Sequence, residues 1–221
     1  MTVFDILFKY RDEFLIGIGV TLKIAILVWI IGIFLGGLLG VLGAKNKNVI
    51  GLPSKIFSFI LSGIPVLVFL FWLHYPAQVI FKVVIDGFYS TVFALSVINT
   101  FLVADLVRNA LINFPEQYII SAEVSGFTPR EIVWKIQFPL IIRQIMPGLL
   151  IAEIIMLHST LFGSFISVDE IFRISCRVNS EVYRPVEVFS ALAVFFLIIS
   201  LPIAGIAAWF KNKYSRNLSK V

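Results

Sequence analysis

With 221 residues, 59% hydrophobic and only 14% charged, and a mean hydropathy of +0.99, the chain is too apolar for a soluble domain, in which about a quarter of residues are charged. The net charge of +5 sits mainly at the ends of apolar runs, where membrane topology uses it, and does not point to nucleic acid. The single cysteine, Cys176, excludes an intrachain disulfide and a cysteine-based metal cluster.

The first twelve residues mix Asp5, Lys9, Arg11 and Asp12 without a basic start or a small-residue cleavage site. The first apolar run is therefore expected to stay on the protein. A helix needs about 20 mostly apolar residues to cross a bilayer. Five runs qualify, at about 14–42, 56–73, 88–107, 140–165 and 188–210. The expected fold is all-α and integral to the membrane, one transmembrane domain over residues 1–221.

The first run carries Gly32, Gly36 and Gly40 at a spacing of four, with Gly37 and Gly43 beside them. Glycines so spaced clear one helix face for a close neighbour, either in this chain or on a second subunit. Pro65 and Pro202 fall inside runs, where a missing N–H favours a kink. Asp105 and Arg108 lie one turn apart near the end of the third run. They suit a local ion pair or a gate contact.

The stretch from Pro115 to Pro147 cannot lie in hydrocarbon, because it carries Glu116, Glu123, Arg130, Glu131 and Lys135. It nevertheless places Tyr118, Ile119, Ala122 and Gly126 at helical spacing. An amphipathic surface helix, a break at Gly126 and a second short helix from Pro129 are predicted, with Gly126 free to take a positive φ.

Lysine and arginine decide orientation. Residues 43–56 hold Lys45, Lys47 and Lys55, the tail holds Lys211, Lys213, Arg216 and Lys220, and neither segment has an acid. Five spans put both, with the central loop, on the cytoplasmic side. The N-terminus, residues 74–86 and residues 167–187 then face outward, the last segment suiting a docking surface or a solvated one.

Two ionisable residues fall deep inside runs. Lys23 lies nine residues beyond Phe14 and Glu153 nine before Phe162, each roughly 13 Å from its end at 1.5 Å per residue. Equal depth makes a Lys23–Glu153 ion pair possible; otherwise Glu153 faces a cavity and meets a cationic solute, or each side chain snorkels. His158 suits a cavity wall or a packed hydrogen bond. Nothing in the sequence is expected to be catalytic. There is no G-x-x-x-x-G-K-[ST] run to cradle ATP, and His74 and His158 have no ligand cluster to hold a metal.

The central stretch resembles the coupling loop of ABC-transporter permeases. Ile120-Ser121-Ala122 holds the place of that family's Glu-Ala-Ala, Gly126 that of its glycine, and Ile136-Gln137-Phe138-Pro139 follows after nine residues. Ile120 departs from the family's glutamate, and Glu123 stands one turn on. Thr21-Leu22, Ser62-Gly63-Ile64-Pro65, Asn99-Thr100 through Asp105 to Arg108, and Tyr183-Arg184-Pro185 extend the likeness to polar amino acid permeases. Leu157-His158-Ser159-Thr160 is similar to the M-type subunits of histidine, arginine and opine importers. Ser62 stands where an arginine is usual, Asp105 where a glutamate is usual, and Ile151-Ala152 where Asn-Glu is usual.

The resemblance implies a type I importer permease of the bacterial cytoplasmic (inner) membrane, passing polar, basic amino acids inward. It implies coupling to ATPases through Ile119, Ile120, Ser121, Ala122, Glu123, Gly126, Ile136 and Pro139. The implied partners are a second permease subunit, two ATP-binding cassette subunits that hold ATP and magnesium, and an extracytoplasmic solute-binding protein. Lys23, Glu153, His158, Ser159 and Thr160 are the expected substrate-path residues, and no cofactor is expected in this chain. Two other readings remain: a non-transporting partner that completes the permease pair, and a channel or carrier that needs no ATPase.

Overall fold

The computed structural model describes residues 2–218, with side chains through Lys213. Lys220 and the side chain of Arg216, counted above among the tail cations, lie outside the described residues. The protein is all-helical among the described residues. A short helix α1 (Val3–Lys9) is closed by a reciprocal cap, Asp5 N donating to Thr2 Oγ1 and Thr2 N to Asp5 Oδ2. That backbone hydrogen bond from Thr2 holds the Asp5 carboxyl below the usual range.

Helix α2 (Arg11–Lys45) packs along α6 (Gly87–Ile112), and the glycines set the register. Gly32 faces Asn99, Gly36 faces Thr100 and Val103, and Gly40 faces Ala104 and Val107. Both numbers rise together, so the two helices run parallel. The glycine stripe is thus filled from within the chain.

Parallel α2 and α6 require the chain between them to return across the bundle. It does so in pieces: a π-helical turn (Lys47–Gly51), α3 (Leu52–Gly63), α4 (Val66–Trp72), a second π-helical turn (Leu73–Ala77) and α5 (Gln78–Phe81). The expected span at 56–73 is therefore not one straight helix but two arms bent by 101°. The cause is local. Pro65 supplies no N–H, and Ile64 before it is extended (φ −103°, ψ 124°). Gly51 still touches Gly43 at one end and Gln78 reaches Ser90 at the other, so the arms together make one crossing.

Beyond α6 come α7 (Glu116–Val124), a one-turn α8 (Pro129–Glu131) and a π-helical turn (Ile132–Gln137) leading into α9 (Phe138–Ser159). Helix α9 runs antiparallel to α6, with Gly148 against Leu106 and Gly163 against Thr91. A 3₁₀ segment (Thr160–Ile166) ends it, followed by α10 (Ile171–Val182) and the long α11 (Pro185–Leu218). Among the described residues, four helical stretches are long and apolar enough to cross a membrane, five counting the bent pair.

Among the described residues, two apolar clusters hold the bundle. One joins Ile24, Val28, Leu70, Leu95 and Met156 in its middle. The other joins Ile6, Phe14, Ile174, Val178 and Val188 at the end that carries the N-terminus. Outside these, many large apolar side chains are exposed, Phe34, Phe59 and Ile198 among them, as a lipid-facing surface requires.

Candidate functional site

Helix α7 stands at the end of the bundle opposite α1, between the third and fourth crossings. Pro115 starts it, and its carboxyl end closes on Gly126, whose φ of +80° lets Phe127 N reach Ala122 O at 3.1 Å. A Cβ at Gly126 would meet nothing within 4 Å, so its backbone angle, not crowding, is what suits glycine. Ala122 is buried beneath the helix, while Ile120 (53% exposed), Ser121, Glu123 and Val124 (85% exposed) form its outer surface. Ile119 is half-buried.

The chain after Gly126 is stiffened. Thr128 and Glu131 form a capping box, and Glu131 Oε1 accepts from Lys135 Nζ at 2.7 Å. Ile132 is buried, and Ile136 and Pro139 are half-buried where the π-helical turn enters α9. Helix α7 is thus joined to α6 and α9 through short, hydrogen-bonded connections.

At the same end, Arg108 lies in the core beside Gly43 and is paired with Asp105, whose other oxygen accepts from Ser58. Arg108 Nη1 also reaches Ser54 Oγ at 3.5 Å. The side chain of Asp105 keeps 31% exposure. It opens into a groove of about 430 Å³ between α3, α6 and α9. Ser58, Ser62, Asp105 and Asn109 supply its polar groups, while Phe101, Ile151, Ala152 and Ile155 are among its apolar lining.

The residues expected along a substrate path do not converge there. Glu153 is 4% exposed and points into the helix core, where Asn99 Nδ2 donates to both carboxylate oxygens at 3.1 Å. Trp29 Nε1 donates to the Glu153 carbonyl at 3.0 Å. The expected pairing with Lys23 does not form. Lys23 is exposed on the face it shares with Ile26 and Ile30 and makes no ion pair among the described residues. His158 faces α11, with Nε2 2.9 Å from Ser200 Oγ and its ring edge-on to Phe196. Ser159 and Thr160 turn back to the carbonyls of Ile155 and Leu157.

At the N-terminal end, Glu170 caps α10, accepting from the N–H groups of Phe172 and Arg173 at 2.9 Å. It is fully buried, and burial pushes its carboxyl up to about 7 against those hydrogen bonds and the nearby Arg173 charge. Ile171 N donates to Thr21 Oγ1 at 3.1 Å, tying α10 to α2. The charges of this segment are largely matched: Arg173 with Asp169 at 2.9 Å, Arg177 with Glu13 at 3.7 Å, and Tyr10 Oη donating to Glu181 at 3.0 Å.

Sequence reasoning missed Ser54, Ser58, the contact of Asn99 with Glu153, and the capping role of Glu170. The register of Gly32 against a polar residue on α6 was the signal available for Asn99. Nothing in the spacing marked Glu170 as a cap.

The described residues thus form a bundle of membrane-length helices with an exposed, glycine-closed helix between two crossings. Residues 30–216 match the family described as binding-protein-dependent transport system inner membrane component, and the chain belongs to that family. It is 28% identical to the octopine transport system permease protein OccM of Rhizobium radiobacter over 214 residues, covering 90% of this chain and 87% of that one. It is 25% identical to the histidine/lysine/arginine/ornithine transport system permease protein HisM of Salmonella typhimurium, covering 89% and 90%. Against the corresponding HisQ of Escherichia coli it is 23% identical, covering 95% and 96%. Among solved structures, the fold is similar to an amino acid ABC transporter with histidines, with a TM-score of 0.80 and 23% identity over 94% of this chain and 96% of that one. The MetNI methionine ABC transporter in an inward-facing form gives a TM-score of 0.69 at 20% identity, covering 91% and 98%. The fold is thus that of ABC-importer permeases.

Proposed function

We propose that this chain is one of two membrane subunits of an ATP-driven importer of basic amino acids. The observation that carries the reading is α7, an exposed helix held on short connections between α6 and α9 at the end that also bears Lys45, Lys47 and Arg130. The named solutes of the OccM, HisM and HisQ relatives support the substrate class. The basic residues at the α7 end support a cytoplasmic position for it, with the N-terminus outside. ATP and magnesium belong to partner ATPases, and a binding protein outside the membrane hands over the solute.

In this reading each ATPase carries α7 with it as it closes on ATP. The outer side chains Ile120, Ser121 and Glu123 meet the ATPase, and Gly126 sets the angle at which α7 leaves it. Displacement of α7 rocks α6 and α9, and with them the groove between α3, α6 and α9. That groove is the proposed path, and Glu153 is a positioning residue beneath it. The test is uptake into proteoliposomes holding the complex purified with its native partners. ATP-dependent uptake of arginine, histidine, lysine or ornithine with the cognate binding protein is expected. Failure with all four refutes the substrate class, and uptake without ATP favours a channel or carrier.

A second reading, a subunit that completes the pair without touching solute, is favoured by one observation. Lys23, Glu153, His158, Ser159 and Thr160 all turn away from the groove. In that case Asn109→Leu, which narrows the groove at an exposed position, leaves uptake unchanged, whereas a solute-contacting subunit loses it.

A further inference from the structure

The face of α6 away from α9 borders an apolar crevice of about 700 Å³ between α2, α4, α5 and α6. Ile31, Leu35, Trp72, Phe81, Phe93 and Val97 are among its lining. It follows α6 from Tyr89 to Phe101, a length of roughly 18 Å at 1.5 Å rise per residue. One leaflet of a hydrocarbon core is about 15 Å deep. The crevice begins at the N-terminal end of the bundle, where Gly87 lies against Ile166, and stops near mid-membrane.

At its mouth the crevice shares Gln78, Val83 and Ile85 with a shallow shelf of about 830 Å³. The shelf has a built shape. Gln78 Oε1 accepts from Ile85 N at 2.7 Å, and its Nε2 donates to Ile85 O at 3.2 Å, so the end of α5 and the chain that follows it to Ile85 are strapped together. Lys82 sits in that stretch in the left-handed region (φ 54°), exposed, with no ion pair among the described residues. The nearest acid in sequence, Asp86, caps α6 by accepting from the N–H of Phe88 at 2.8 Å and makes no ion pair with Lys82. His74 is engaged too, 2.9 Å from Ser90 Oγ.

We infer that this crevice and shelf together bind one anionic phospholipid of the leaflet on the N-terminal side. An acyl chain fills the crevice, and the phosphate rests against Lys82. Depth, apolar lining and an unmatched cation at the mouth all fit that ligand, and none of them depends on which solute is carried. A second permease subunit as the occupant would need an apolar partner surface at the shelf and would leave Lys82 without a counter-charge. A zwitterionic lipid would fill the crevice and offer Lys82 the same phosphate, but its ammonium group offsets that charge and weakens the attraction.

The test is direct. The complex is purified with its native partners from cells carrying p-benzoylphenylalanine in place of Phe93, which is exposed on the crevice wall. It is irradiated in nanodiscs of equal phosphatidylglycerol and phosphatidylethanolamine, and the adducts are weighed. A phosphatidylglycerol adduct in excess over phosphatidylethanolamine is expected. Lys82→Ser should cut that excess about five-fold, the effect of one lysine at an anionic surface. Ser96→Leu fills the crevice at a buried hydroxyl that has no hydrogen-bond partner, and should abolish the lipid adduct without unfolding. Adducts to a protein overturn the inference, because the crevice is then a subunit interface. Equal labelling of the two lipids, or an excess untouched by Lys82→Ser, overturns the role of Lys82.

Discussion

Substituting Gly36 separates tight packing from simple helix propensity, because Gly37 next to it provides the control. A Cβ at Gly36 would lie 2.6 Å from the carbonyl oxygen of Thr100 and 2.7 Å from Val103 Cβ, while one at Gly37 meets nothing within 4 Å. The first obstacle is α6 backbone, which has no rotamer to escape into. Gly36→Ala must therefore push α2 and α6 apart, an overpacking cost of about 1–3 kcal/mol. Gly37→Ala carries no such cost and gains about 0.5–1 kcal/mol in helix propensity. For a chain of this size each kcal/mol moves the melting temperature by about 2–4 °C. Melting in mild detergent, followed by loss of the monodisperse elution peak after heating, should fall by about 5 °C for Gly36→Ala and hold or rise for Gly37→Ala. Equal shifts for the two, or no loss at Gly36, would refute the reasoning that α2 and α6 meet on this stripe.

Further expectations concern the charges and α7. Asp105→Asn leaves the buried Arg108 without its partner and should destabilise by about 3–5 kcal/mol, whereas Asp105→Leu combined with Arg108→Met should recover most of the loss in the same melting assay. Glu170 has a folded value of about 7 against an ordinary 4.5, so its contribution to stability is fully present below about pH 4.5 and is lost as pH rises through 7, by roughly 3 kcal/mol at most. Melting of the wild type should therefore fall between pH 5 and pH 8, and Glu170→Gln should flatten that slope; an identical slope in the variant would show that other groups set it. Gly126→Leu places a side chain at φ +80°, straining the end of α7 by about 1–2 kcal/mol. The chain should still assemble in the membrane, with ATP hydrolysis by the complex no longer raised by binding protein and solute.

The sequence made much of this architecture readable, and for physical reasons. Gly32, Gly36 and Gly40 mark a face because glycine at a spacing of four has few other uses in an apolar helix, and that face meets α6. Pro65 announces a break, but not its size: a kink and a 101° turn begin from the same missing N–H. The Gly126 turn is legible because few residues other than glycine tolerate its backbone angle. Depth arithmetic misled at Lys23 and Glu153. Depth along a helix says nothing of direction around it, and the exposed Ile26 and Ile30, three and seven residues on, already place Lys23 on the lipid face. The Asn99–Glu153 contact joins α6 to α9 across 54 residues of sequence and depends on how far α2 lets those helices approach. Ser58 is invisible for a similar reason, since its contact with Asp105 joins α3 to α6 across 47 residues of sequence.

The most direct measurement is purification of the tagged chain from its native host in mild detergent, with its companions identified by mass, for the wild type and for Glu123→Arg together with Ile120→Arg. A second permease and an ABC ATPase should accompany the wild type, and the ATPase alone should be lost from the α7 variant while the permease pair stays. A chain that comes down by itself, or an ATPase retained undiminished with both outer positions of α7 reversed in character, would contradict coupling through this helix.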